Sequence, residues 1–257
     1  MCYPKNKPLE EMNNTQKFTG KAKAYQKGRP SYAPALLRDL AQEYHFYHKT
    51  IADIGAGTGI FTKQLLDLDN TVYAVEPNED MRKAAENDLS TYSQFYSIAG
   101  SAEQTTLKEH SMDAVTTAQA FHWFDPTAFK TECRRILKPN GWVALIWNEY
   151  LESDVLFAET AVLEKFCPAF KVQRNNTPIK EKIHLLLPVC EERSYPNEYS
   201  LTKEQYLANC LSKSWTLTPQ DNEFQNYMEA LEDVFEKFAS KNKIPRPMQT
   251  ILYIGKL

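Results

Sequence analysis

The hydrophobic pattern of the chain switches repeatedly between two periods. Short apolar runs at residues 51–54, 71–75 and 142–147 read as strands buried on both faces. Between them apolar residues recur at three- and four-residue steps, the spacing that gives a helix one apolar face. Residues 34–44 carry Leu36, Leu37, Leu40 and Tyr44 on one side, and the helix after the first strand carries Ile60, Phe61, Leu65 and Leu68. A helix is expected from Pro77 to about Leu89, with Asn78 positioned to cap it. Residues 94–98 and 111–119 supply strands three and four. Asp125-Pro126 then opens a helix with Phe129, Cys133, Ile136 and Leu137 inward, and 139–141 turns the chain into strand five. Strands alternating with helices imply a parallel sheet covered on both faces.

Beyond Asn148 the pattern loosens. Residues 155–166 form an amphipathic helix, and 190–201 read as a strand that Pro196 confines to an edge. Helices follow at 203–213 and 222–239, the second with seven apolar residues from Phe224 to Phe238 on one stripe, and 250–256 closes the chain as a strand. Residues 1–17 are polar and aperiodic, and read as disordered or loosely docked.

The stretch that carries chemistry is Asp53-Ile-Gly-Ala-Gly-Thr-Gly59, where a strand runs through a glycine-rich turn into a helix. Bare backbone lets a ligand touch the main chain. The spacing G-x-G-x-G departs from the G-x-G-x-x-G of dinucleotide sites, and no Gly-Lys-Ser/Thr follows as a P-loop requires. Glu76 ends strand two, 21 residues past Gly55 (76 − 55), the distance at which a carboxylate meets a ribose diol.

Composition narrows the ligand. With 257 residues and 42% hydrophobic content the chain can bury a full core as one domain. Its net charge is −3 and no basic run exceeds two residues, so the footprint of a nucleic-acid binder is missing and small substrates are favoured. Five widely spaced cysteines without C-x-x-C fit reduced thiols, and His45 and His48 suggest no third metal ligand; no metal site is expected. The polar N-terminus is unlike a signal peptide and no apolar run reaches membrane length, so a soluble, cytoplasmic protein is expected.

At Asp53, Gly55, Gly57, Gly59 and Glu76 the chain resembles the class I S-adenosylmethionine-dependent methyltransferases, in the small-molecule branch (methyltransferase type 11, trans-aconitate methyltransferase-like). Gly100-Ser-Ala-Glu103, Ala118-Gln-Ala-Phe-His-Trp-Phe124 and Leu137-Lys-Pro-Asn-Gly-Trp-Val143 resemble the same branch in order. The resemblance implies a Rossmann-like α/β fold with a seven-stranded mixed sheet of order 3-2-1-4-5-7-6. It divides the single domain into a cap segment at 18–44, a cofactor core at 45–150 and a C-terminal part with a helical insertion at 202–240. It implies S-adenosylmethionine as cofactor and S-adenosylhomocysteine as product, with Asp53, Gly55, Ala56, Gly57, Gly59, Glu76, Pro77, Met81, Ser101, Ala102, Glu103 and Gln119 around it. Tyr25 and Arg29 are implied to close over its methionine end, where a guanidinium offers a fork of donors to the carboxylate. Met81 reads equally as an ordinary core residue.

The expected reaction is in-line methyl transfer to a small-molecule acceptor, in which alignment and a dry pocket matter more than acid–base groups. His122 is the titratable side chain on the loop after strand four, either as a base or orienting group, or as part of a His122-Trp123-Phe124 wedge that never meets substrate. The Asn/Asp-Pro-Pro-Tyr of amino methylation on nucleic acid is absent from that loop. Other classes left open are a cofactor-binding protein without turnover and a NAD-dependent oxidoreductase, which the glycine spacing disfavours. The 202–240 insertion is expected to be a lid over the substrate pocket, with a homodimer interface as the competing role.

Overall fold

The computed structural model describes residue 20 and residues 22–168, 170, 179–213 and 215–257. The expected disorder of residues 1–17, and Cys2, lie outside them. The chain divides into two compact units. One comprises 30–151, 177–198 and 248–257; the other comprises the remaining segments, up to 29, 152–176 and 199–247.

The first unit is built on a sheet. Its strands are β1 (Thr50–Ile54), β2 (Thr71–Val75), β3 (Phe95–Ile98), β4 (Met112–Ala118), β5 (Leu137–Tyr150), β6 (Glu191–Asn197) and β9 (Met248–Lys256). Their order is 3-2-1-4-5-9-6, the expected topology; the last strand is ninth in the chain because a two-stranded ribbon, β7 (Ser200–Leu201) and β8 (Ile244–Pro245), precedes it. β1 to β5 pair in parallel, whereas β9 runs antiparallel between β5 and β6. β6 is therefore the edge strand, as Pro196 requires.

Strand alternation sends Ala52 and Ile54 to one face and Ile51 to the other. On the first face they meet Phe129, Cys133 and Ile136 of α5 (Pro126–Ile136) and Ile183 and Leu186 of α7 (Ile179–Leu186). On the second, Ile51 meets Leu36 and Leu40 of α2 (Pro34–Gln42) and Phe61 and Leu65 of α3 (Ile60–Leu66). Asn78 caps α4 (Glu79–Asp88) by accepting from the Met81 amide, and Asp125 caps α5 through the amides of Thr127 and Ala128. The expected turn at 139–141 is instead absorbed into β5. Met112 pairs with Leu137 but Ala114 with Trp142, so Lys138–Asn140 bulge out of register, with Asn140 at φ 65°.

The second unit contains α1 (Ala22–Gly28), α6 (Asp154–Phe166), α8 (Lys203–Leu211), α9 (Phe224–Phe238) and the ribbon. The stripe on α9 finds its cover here: Tyr227, Leu231, Val234 and Phe235 pack with Val155, Leu163, Tyr206 and Cys210. Thr202 and Gln205 form a reciprocal capping box at the start of α8.

Candidate active site

The glycine turn is fixed by the strands that flank it. The amides of Gly55 and Ala56 both donate to the Val75 carbonyl, at 2.8 and 3.2 Å, which bends the chain over the end of β2. Gly55, Gly57 and Gly59 have φ of 69°, 58° and 82°. At Gly55 a Cβ would lie 2.5 Å from Ala120 Cβ, so the turn closes against the end of β4. At Gly57 a Cβ would meet nothing within 4 Å: the loop there is both left-handed and open, a backbone cradle with room for a ligand.

Glu76 fastens this cradle. Its Oε2 accepts from the Gly57 amide at 2.9 Å and its Oε1 from the Asn78 amide at 2.8 Å, while Arg82 donates to its carbonyl. Each oxygen keeps a lone pair for a hydroxyl. Burial pushes its pKa up, against the two amides and Arg82, which lower it. Asp53 is 1% exposed, and its two oxygens accept from Thr62 of α3 at 2.6 Å and Thr116 of β4 at 2.8 Å. Desolvation raises its pKa to about 6, with the charge of Glu76 adding to the effect and the two hydroxyls opposing it.

The other expected residues of this unit follow the carboxyl ends of β2, β3 and β4. Pro77 is exposed and Met81 is buried beneath the α4 cap. Ser101 and Gln104 exchange backbone hydrogen bonds, with Ala102 buried between them. Glu103 accepts from the Asp125 amide at 3.2 Å, which ties this turn to the start of α5. Gln119 sits at φ 57°, a strained value for a residue with a side chain, and its amide nitrogen donates to the Asn148 carbonyl at 2.8 Å. Thus Asp53, the loop residues 55–59, Glu76, Pro77, Met81, Ser101–Glu103 and Gln119 share one edge of the sheet, beside the point where strand order reverses. Open α/β sheets bind ligands there.

Phe121–Trp123 forms one 3-10 turn. Phe121 is fully buried and packs on Phe129 and Trp147, and Phe124 of the expected wedge packs on Phe121 and Phe129. His122 is exposed, with its ring centroid 4.7 Å from that of Trp123. Tyr25 and Arg29 belong to the other unit, where the guanidinium lies 4.8 Å from the Tyr25 ring centroid and donates to Ser212 Oγ.

Several supports escaped the sequence reading. Glu132 of α5 accepts from the amide and hydroxyl of Thr105 and from Arg135, which pins the 101–107 turn. Burial would raise the Glu132 pKa, but these partners hold it below the ordinary value. Lys182 of α7 donates to the His122 carbonyl at 3.2 Å. A cavity of about 190 Å³ lined by Tyr44, Lys49, Asp113 and Trp142 opens at the amino ends of β1 and β4, away from the glycine turn. Among the described residues there is no cluster of His, Cys, Asp or Glu able to hold a metal, and no helix long and apolar enough to cross a membrane.

An uncharacterised methyltransferase of Mycobacterium tuberculosis is 30% identical over 197 residues, which span 76% of this chain and 75% of that protein. The chain belongs to the class I S-adenosylmethionine-dependent methyltransferase family. The family profile described as "Methyltransferase domain" matches residues 52–145, from β1 through the centre of β5. An uncharacterised methyltransferase of Schizosaccharomyces pombe is 32% identical over 126 residues, 48% of this chain and 49% of that one. Among solved structures, the YcgJ protein of Bacillus subtilis has a TM-score of 0.53 at 18% identity, covering 87% of this methyltransferase and 98% of that chain. Phosphoethanolamine N-methyltransferase 2 of Haemonchus contortus, solved with phosphomonomethylethanolamine and S-adenosylhomocysteine, has a TM-score of 0.52 at 15% identity, covering 98% of this chain and 60% of that one. Both likenesses establish the fold.

Proposed function

We propose that this methyltransferase transfers the methyl group of S-adenosylmethionine in line to a small-molecule acceptor at the carboxyl ends of β1 and β4. The observation that carries the reading is the Gly55–Gly59 cradle, open above Gly57 and tied by that residue's amide to Glu76. The bound cofactor supplies an electrophilic methyl group on a sulfonium whose thioether leaves without a proton. Glu76 would hold the ribose hydroxyls with its remaining lone pairs, Ser101, Ala102 and Glu103 the adenine, and the loop amides the methionine end. Asp53, enclosed by two threonine hydroxyls, would act as the strut that keeps α3 and β4 in register under the loop. The absence of a basic run favours a small acceptor over nucleic acid.

His122 is exposed on the turn after β4 and can take a proton from the acceptor. Tyr25, Arg29 and the helices of 202–240 belong to one compact unit, and the glycine turn to the other. Incubation with methyl-labelled cofactor and a cell metabolite extract should yield a labelled small molecule. His122→Ala should lower that turnover ~10²-fold while leaving S-adenosylhomocysteine affinity nearly intact. Wild-type protein that binds S-adenosylhomocysteine yet labels nothing would be a binding protein without turnover.

A further inference from the structure

The cavity of about 190 Å³ at the amino ends of β1 and β4 lies between the segment that enters β1 and the bulge that begins β5, wholly within the sheet unit. β1 is five residues long, so roughly 16 Å of strand separates this cavity from the glycine turn. Its aromatic walls are Tyr44, Phe46 and Trp142. Each is held in place. Phe46 is 1% exposed and its amide donates to the Leu40 carbonyl, Tyr44 donates to Glu191 Oε2 at 2.7 Å, and the Lys256 ammonium lies 4.5 Å from the Trp142 ring centroid. Tyr44 and Trp142 meet edge to face, with ring centroids 5.4 Å apart. A dry void of about 150 Å³ already takes a benzene ring, so this cavity has room for one ring and a polar substituent.

The charges around it do not cancel. Asp113 is the carboxylate in the lining, and both its oxygens are engaged: Oδ1 accepts from Lys138 Nζ and Oδ2 from the Thr50 amide, each at 2.9 Å. Glu191, which Tyr44 meets, is itself paired with Arg193. Lys49, one residue before β1, is different. Its amide donates to Asn70 Oδ1 at 2.9 Å and its carbonyl accepts from the Thr71 amide at 2.8 Å, so its backbone is fixed on both sides. Its ammonium nevertheless has no hydrogen-bond or ion-pair partner among the described residues. A half-buried lysine without a counter-ion leaves the cavity one uncompensated positive charge. An anion seated there would meet that charge in a partly desolvated site, where pairing is stronger than on open surface.

We propose that this cavity is a second ligand site, separate from the cofactor cradle, and that it takes a small aromatic carboxylate. The ring lies among Tyr44, Phe46 and Trp142, and the carboxylate pairs with the Lys49 ammonium. Three aromatic walls suit a flat body, and one uncompensated charge suits a monoanion. A neutral ring would leave Lys49 without a partner. A cation would meet two ammonium groups and an aspartate whose oxygens are already taken. The site goes beyond methyl transfer, and its occupation requires neither cofactor nor methyl acceptor.

The test titrates benzoate into the full-length protein and follows by NMR the indole N–H signal of Trp142, one of four tryptophans, assigned through Trp142→Phe. Benzyl alcohol and benzylamine serve as neutral and cationic controls of the same size. Benzoate should move the Trp142 signal with a Kd of ~1 mM or tighter, as about nine well-seated non-hydrogen atoms allow, and the controls should bind at least ~10-fold more weakly. Lys49→Met keeps the unbranched stem and drops the charge, so it should weaken benzoate at least ~10-fold, whereas Lys49→Arg should stay within about threefold of wild type. The shift should persist with S-adenosylhomocysteine at saturation. An unmoved Trp142 signal, controls that bind as tightly as benzoate, unchanged affinity in Lys49→Met, or loss of the shift under S-adenosylhomocysteine overturns the proposal. Should Lys49→Met fail to fold, benzoate against its two controls on wild type decides alone.

Discussion

Two buried carboxylates, one in each compact unit, are compensated in opposite ways. Asp53 and Glu159 are both 1% exposed. Asp53 is met by two neutral hydroxyls, and desolvation raises its pKa to about 6. Glu159 is desolvated just as fully, but the charges of Lys213 and Arg246, both hydrogen-bonded to it, hold it at about 2. The helical unit thus neutralises its buried acid internally, with Tyr206 and Cys210 packed around the triad and their pKa values pushed up by burial. The sheet unit leaves its acid without a cation directly before the glycine turn. One acid is held by charge and the other by hydroxyls, so the two carboxylates answer differently to the loss of a partner.

Removing a partner is expected to break the helical unit first. Arg246→Met leaves Glu159 with one cation in a buried site, at a cost of ~3–5 kcal/mol, and amide exchange across α8 and α9 should accelerate accordingly. Asp53→Asn should cost little at pH 7, and this asymmetry is the sharpest form of the comparison. Exchange that responds equally to both substitutions would mean that the two acids play the same role.

The pH dependences should also oppose each other. The folded value for Asp53, about 6, lies above its ordinary 3.8, so the native state binds more protons between them and stability falls as pH rises through that window, by up to ~3 kcal/mol. Asp53→Asn should flatten that slope relative to wild type in denaturant titrations between pH 4 and 6.5. For Glu159 the sign reverses. Its contribution is present above 4.5 and is lost as pH falls from there towards 2.

Smaller effects separate two glycine positions of the turn. Both alanine substitutions meet a left-handed backbone, at ~1–2 kcal/mol. Gly55→Ala adds a clash with Ala120 that Gly57→Ala escapes, so the melting temperature should fall further for the first. At the edge of the sheet, Arg193 bridges Asp39, Glu43 and Glu191 on the surface, and Arg193→Ala should cost under ~1 kcal/mol in thermal unfolding.

The sequence reveals the parts of this molecule that depend on local spacing. Strands one to four, the glycine turn, the Asn78 and Asp125 caps and the edge position forced by Pro196 all follow from residues within one or two turns of each other. What it conceals is long-range pairing. Glu159 finds Lys213 across 54 positions and Arg246 across 87, and nothing local singles out any of the three. Glu132 looks like a solvated helix residue until Thr105 is folded against it. α7 is not legible in the sequence because its eight residues interleave Lys180, Lys182 and His184 with the two that it buries, Ile183 and Leu186. At the site, the motif located the loop and Glu76, while the Gln119–Asn148 contact exists only in the fold.

Calorimetric titration of S-adenosylhomocysteine into wild type and Glu76→Ala tests the central claim most directly. Loss of two charge-assisted hydrogen bonds to the ribose, each worth ~1.5–3 kcal/mol, should weaken binding at least tenfold. Binding equally tight in both proteins, or none in wild type, would contradict the assignment of the Gly55–Gly59 cradle as the cofactor site.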